Sequence, residues 1–207
     1  MARTVGSAAD ETRERILEVS VDLFIERGYP GTSIRDIAER LGRTKGSLYY
    51  HFASKEDILT ALVTPMMADL DSLIEQAGTV DGPNRSELVA QLVDLLDKHG
   101  VLLRSLMADP SVLRGLAVRE SMPARLVKVQ RAVAGSDDPA ALLRGRCVLG
   151  VIQAGAVAPR WEAVGDTTGA ERRAAVIGKR LSPEDKQFVV DAALAVLDVS
   201  FPTAPHS

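Results

Sequence analysis

The stretch GRTKGSLYYHFASK, residues 42–55, sets two tyrosines and a histidine in a row between lysines. On a helix, neighbouring residues are separated by about 100° around the axis, so three adjacent rings cannot share one buried face. Leu48 and Phe52, four apart, form the inward pair. Lys45, Tyr49 and Tyr50 are then left to face something outside the chain. Thr44 suits an N-cap for this helix, and Gly42 suits a left-handed turn position just before it.

Upstream, Ile34, Ile37, Ala38 and Leu41 give a short amphipathic helix, with Thr32 as its expected N-cap and Gly42 as its stop. Ala38 is small where a second helix would cross closely. Two short helices joined by a tight turn form a helix-turn-helix, whose second helix enters the major groove while the first crosses the backbone. A longer helix from about Asp10 to Arg27 precedes the pair, with Ile16, Val19, Leu23 and Phe24 at helical spacing. Charge agrees with a nucleic-acid face. Between Ser33 and Lys55 the basic residues Arg35, Arg40, Arg43, Lys45 and Lys55 outnumber Asp36 and Glu39, five against two, leaving +3 on a chain whose total is −3. Such a patch attracts phosphates, and its Arg or Lys side chains can reach guanine edges. The aromatics face DNA.

The composition of the 207 residues, 46% hydrophobic and 26% charged, is that of a globular protein. Aromatics make up 4%, and β-branched runs of strand length are few, so the fold class is all-α. A single cysteine, Cys147, excludes an intrachain disulfide and a zinc finger; among Val148, Leu149 and Val151 it reads as a small apolar core residue. The N-terminus lacks the apolar core of a signal peptide, and CVLGVIQAGAVAP (147–159) falls short of the roughly 20 residues that cross a bilayer. These features predict a soluble, cytoplasmic protein without a membrane partner. Neither a P-loop, a nucleophile elbow nor a carboxylate pair marks an enzyme or a cofactor site. His99 and His206 give His51 no partner at metal-ligand spacing, so no metal site is expected.

Start and stop signals divide the chain into about nine helices. Ser54 with Asp57 opens the fourth, which Pro65 should kink; Asn84 with Glu87 opens the fifth; Val101–Met107 is a short sixth. Asp109-Pro110 starts a seventh with a kink at Pro123, Asp138-Pro139 an eighth to about Ala158, and Ser182-Pro183 a ninth. The expected domains are 1–54, a three-helix DNA-binding domain, and 55–201, a larger helical domain, followed by a disordered tail at 202–207. The eighth helix is apolar nearly all round from Cys147, and the ninth over most of its circumference. Such helices need cover on both sides. Val148, Gly150, Val151, Ala154, Val189, Ala193 and Val196 are therefore candidates for a four-helix dimer interface, in which Gly150 and Ala154 let another backbone come close. Met66, Met67, Met107 and Met122, with Arg104, Arg119, Gln153 and Trp161, are candidate walls of a ligand pocket.

The segment RERILEVSVDLFIERGYPGTSIRDIAERLGRTKGSLYYHFASKEDIL (13–59) resembles the N-terminal domain of TetR/AcrR-type transcriptional regulators, through the pattern LF…GY…TS…IA…LG…GSLYYHF…SKE. The resemblance covers about a quarter of the chain at motif level. It implies an all-helical homodimer whose variable C-terminal part forms the dimer and a ligand pocket. It also implies phosphate contacts at Ser33, Thr44, Tyr49, His51 and Lys55, and base approach at Arg35, Lys45, Gly46, Ser47 and Tyr50. Arg43 departs from the pattern, which usually has an apolar residue under the turn. Either its stem packs and its head snorkels, or it adds a DNA contact. Arg13 and Arg15, with Glu11 and Glu14, read as a solvated face, although the resemblance implies that the first helix can touch phosphate near its start. The expected function is a ligand-responsive repressor, a homodimer on a palindromic operator of double-stranded DNA, released when a small-molecule effector moves the fourth helix. The alternative is a helical binding module without small-molecule control, or one whose helix-turn-helix meets a protein.

Overall fold

The computed structural model describes residues 5–78, 84–107, 112, 121–157 and 180–199. Among them are nine α-helices and no strand: α1 (Val5–Arg27), α2 (Ile34–Arg40), α3 (Lys45–His51), α4 (Lys55–Ala77), α5 (Arg85–Lys98), α6 (Gly100–Met107), α7 (Met122–Ala134), α8 (Pro139–Ala156) and α9 (Pro183–Leu197). The fold is all-α, as the periodicity implies.

Most starts follow from local chemistry. Asn84 and Glu87 form a reciprocal capping box at α5, with bonds of 2.9 and 3.0 Å. Asp138 and Ser182 cap α8 and α9, each followed by a proline that needs no N–H partner. Ser54 Oγ accepts the Asp57 N–H at the start of α4, and that helix runs on through Pro65. Three starts differ from expectation. Helix α1 begins at Val5, a turn and more before the expected Asp10. Ser33, not Thr32, caps α2: its Oγ accepts the Asp36 N–H while the Asp36 carboxylate accepts the Ser33 N–H. Thr32 is buried instead, its hydroxyl facing the carbonyls of Leu23 and Gly28 at the end of α1. Pro123 lies in the first turn of α7, so among the described residues it opens a helix rather than kinking one. The expected start at Asp109-Pro110 and the 202–207 tail lie outside the described residues.

The chain forms two compact units. The first contains α1, α2, α3, α4 as far as Met67, and α6 from Leu102. Its core joins Ile16, Leu23 and Phe24 of α1 to Ile37 of α2, Leu48 of α3, Ile58 and Val63 of α4, and Leu106. The second contains α4 from Ala68, α5, α7, α8 and α9, with Val89, Leu92, Val133, Val148, Ile152, Val189 and Ala193 buried. The units divide inside α4, whereas the expected domain boundary at 54/55 marks the start of that helix.

In the second unit, Asp97 at the end of α5 is fully buried. Its carboxylate accepts the Leu181 N–H at 2.7 Å, Arg180 Nε at 3.0 Å and Lys186 Nζ at 3.1 Å. Burial, the largest influence, pushes its acidity down, but the three donors together outweigh it and hold the carboxyl below its usual pKa. A second node pairs Asp71 with both Nε and Nη2 of Arg125 at 2.7 Å each.

Candidate nucleic-acid interface

Helices α2 and α3 are joined by four residues, Leu41 to Thr44, whose hydrogen bonds explain the turn. The Gly42 N–H donates to Glu39 O at 3.1 Å and the Arg43 N–H to Ala38 O at 2.9 Å, with Gly42 at φ +63°. This is a Schellman ending: the paired bonds satisfy two orphan carbonyls, and the left-handed residue carries no Cβ. Thr44 then caps α3 by accepting the Ser47 N–H at 3.2 Å. The cap and the turn fix where α3 begins, and therefore which of its faces is outward.

Leu48 is 1% exposed and Phe52 is buried, while Tyr49 is 46% and Tyr50 84% exposed. Lys45 and Gly46 are exposed beside them, and the Lys45 ammonium lies 5.4 Å from the Tyr49 ring centroid. The Tyr50 and His51 rings meet edge to face at 5.2 Å. Together the largely exposed Tyr50 and the half-exposed Tyr49 with its lysine present apolar ring faces, hydroxyls and one cation to whatever docks there. Ser33, Arg35, Arg43 and Thr44 are also exposed, Ser47 and His51 partly so.

Several of these groups already have protein partners. Arg35 Nε donates to Glu39 at 2.8 Å, an exposed pair one turn apart that holds little energy against a competing phosphate. The Ser33 hydroxyl donates to Asp36, whose carboxyl is held below its usual pKa first by that hydroxyl and then by the Ser33 N–H. Lys55 is more constrained: its ammonium donates to the Tyr29 and Thr32 carbonyls at 2.8 Å each and lies 4.1 Å from the Tyr29 ring centroid. It fastens α4 to the loop between α1 and α2.

Sequence reasoning missed Arg13. Read as part of a solvated face, it instead stacks its guanidinium 4.2 Å from the Phe52 ring centroid and donates to the His51 carbonyl at 3.3 Å. That carbonyl ends α3, where a cation is electrostatically favoured. The two residues are 38 apart in sequence, and no local pattern signals the contact.

The family model for bacterial regulatory proteins of the tetR family matches residues 16–62, which span α1 through the first turns of α4. The regulator Mb3439c of Mycobacterium bovis is 30% identical over 135 residues, 65% of this chain and 67% of that protein. The chain belongs to the TetR family. The repressor BepR of Brucella suis is 34% identical over 93 residues, 45% of this chain and 44% of BepR, so this match spans about half the length of each protein. Among solved structures, AmtR of Mycobacterium smegmatis superposes with a TM-score of 0.62 at 26% identity, over 92% of this chain and 87% of that one. These TetR-family relatives are transcriptional regulators, not enzymes.

The other candidate residues lie as follows. Met66, Met67 and Arg104 are buried in the first unit. In the second, Met122 is half-buried and Gln153 exposed. Met107 ends α6 with its side chain outside the described residues, as are Arg119 and Trp161. Two open clefts of about 370 and 360 Å³ in the second unit are lined by other residues, the first by Asp69, Gln91, Asp94, Lys98 and Arg180, the second by Asp71, Arg125 and Lys128. Val148, Val189 and Ala193 are buried within the second unit, Val151 and Val196 half-buried, and Gly150 and Ala154 exposed. Cys147 corrects the sequence reading: it is exposed, because α8 turns Val148 and Ile152 inward and Leu143, Cys147, Gly150 and Ala154 outward at alternating three- and four-residue spacing. No helix among the described residues is long and apolar enough to cross a membrane.

Proposed function

We propose that the protein is a ligand-responsive transcriptional repressor that binds a palindromic operator as a homodimer. Residues 1–54 serve as the reading head and 55–201 as the effector-binding and dimerising part. The observation that carries this is the outward triplet Lys45, Tyr49 and Tyr50 on α3, held at a defined angle by the inward Leu48 and the Thr44 cap. Lys45 and Tyr50 approach bases; Thr44, Tyr49 and His51 hold phosphates. The repressor name carried by BepR supports the sign of regulation. Dimerisation is supported by the outward faces of α8 and α9. Leu143 is 43% and Phe188 74% exposed, and α9 turns Phe188, Asp191 and Ala195 outward at helical spacing. A two-fold pair of heads reads a palindrome, and an effector that favours one dimer geometry shifts the equilibrium away from DNA.

The test is selection of genomic fragments by the purified protein, followed by footprinting with wild type and Tyr50→Ala. We expect a two-fold-symmetric protected site that the variant loses while remaining dimeric. Binding should fall by roughly the ninth power of salt concentration if about ten phosphates are engaged. No enriched fragment at low salt, or an unaltered footprint for Tyr50→Ala, sinks the proposal.

A further inference from the structure

The Schellman ending of α2 usually brings an apolar side chain, two residues past the cap, against the helix it closes. That position is occupied here by Arg43, opposite Ala38. A cleft of about 370 Å³ opens there between α1 and the helix-turn-helix, with Arg15, Arg40, Arg43, Ser47 and Thr12 in its lining. Its floor comes from Ile16, Val19, Leu41 and Leu48.

The three guanidiniums are not equivalent. Arg40 is committed: Nη1 and Nη2 donate to the two oxygens of Glu26 at 3.0 and 2.8 Å. Among the described residues Arg15 is paired with Glu18 alone, at 2.9 Å, with both side chains more than half exposed. Such a pair yields readily to a stronger anion. Arg43 is exposed and makes no side-chain hydrogen bond or ion pair with a described residue. Glu11 is the acidic residue of the lining, against three arginines.

We infer that this cleft seats one phosphate of the DNA backbone per protomer, with Arg43 as its main donor and Arg15 beside it. The inference rests on the DNA-binding function proposed above. It adds an anchor on α1 and the turn to the contacts of α3. A fork of guanidinium N–H groups matches a phosphate's oxygens two at a time. The cleft is open and its cations are solvated, so a free anion gains little there. A phosphate delivered by DNA already held on α3 arrives at high effective concentration.

The experiment uses the intact protein and its selected operator, with wild type, Arg43→Val, Arg43→Lys and Arg15→Ala. Arg43→Val restores an apolar residue at the Schellman contact, so it should fold at least as well as wild type in thermal unfolding. We expect its log–log salt slope to fall by about 0.9 for each protomer. In ethylation interference one phosphate per half-site should cease to matter, with base preferences unchanged. Arg43→Lys should keep the slope, and Arg15→Ala should weaken interference at that same phosphate. Calorimetric titration of wild type with inorganic phosphate should show no saturable binding. An unchanged slope and phosphate map in Arg43→Val overturns the inference, as does an altered base preference, which would make Arg43 a reading residue. Saturable binding of inorganic phosphate would assign the cleft to a free anion. If wild type itself binds no DNA, the regulator reading fails first, and this inference fails with it.

Discussion

Lys55 spends two of its three donors inside the protein, on the Tyr29 and Thr32 carbonyls, while Lys45 spends none on a described acceptor. Both lysines belong to the same motif, and a sequence reading assigns both to DNA. Their substitutions should separate. Lys55→Ala leaves two part-buried carbonyls without a cationic donor, and should cost about 2 kcal/mol of folding stability as well as weakening operator binding. Lys45→Ala should leave urea unfolding unchanged within about 0.5 kcal/mol and weaken operator binding alone. Paired denaturation and fluorescence-anisotropy titrations of both variants decide the matter; equal loss of stability in both would refute the distinction. Arg13 adds the complementary lesson. It reaches α3 from another helix, so its role is set by tertiary packing and not by its neighbours in sequence.

At the scale of helices, local signals carried far. The starts of α3, α4, α5, α8 and α9 were legible because each needs only a side chain reaching three residues ahead. Thr32 and Ser33 both have a hydroxyl able to cap α2, and the choice fell to burial: the Thr32 methyl suits the core, and Asp36 completes a box only with Ser33. Glycines on α8 were harder to place. Gly150 faces open space, whereas a Cβ on Gly155 would lie 2.5 Å from Val189 Cγ2 and one on Gly145 would lie 2.7 Å from the Gln130 carbonyl oxygen. The close approaches inside the protomer are therefore at Gly145 and Gly155. Gly155→Ala should destabilise the protein by about 1–3 kcal/mol through overpacking against α9. Gly150→Ala should leave it unchanged or add up to about 1 kcal/mol from helix propensity, both read by chemical denaturation. The junction of α5 with the start of α9 carries a pH signature. Asp97 has its folded pKa depressed, so the stability it contributes is present above the ordinary carboxylate value, about 4, and is lost as pH falls through and below it. Asp97→Asn should lower stability by about 2 kcal/mol at neutral pH and flatten the acid side of the stability–pH curve. An unchanged acid limb in that variant would show that other carboxylates govern it.

For the whole molecule, the question is what covers the outer faces of α8 and α9. Phe188 is 74% exposed on a helix whose opposite side is buried against its own unit, and a large aromatic left in water forgoes on the order of 2 kcal/mol of burial. In the proposed dimer, two copies of the face would bury four such helices, and the exposed Gly150 and Ala154 would let the backbones approach where a larger side chain would hold them apart. Phe188→Asp places two like charges across a two-fold axis and removes the ring, so sedimentation should find a monomer with unaltered helix content. DNA binding then tests the coupling of assembly to function. In a dimer the second head binds its half-site at an effective concentration set by the first, which strengthens the whole by about 10²–10⁴ over one head. The monomer should therefore lose operator affinity by about that factor while each head, with Lys45, Tyr49 and Tyr50 intact, keeps its preference for the half-site sequence. Retention of full operator affinity by a monomeric Phe188→Asp protein would mean that one head suffices, and the palindromic dimer would have to be abandoned.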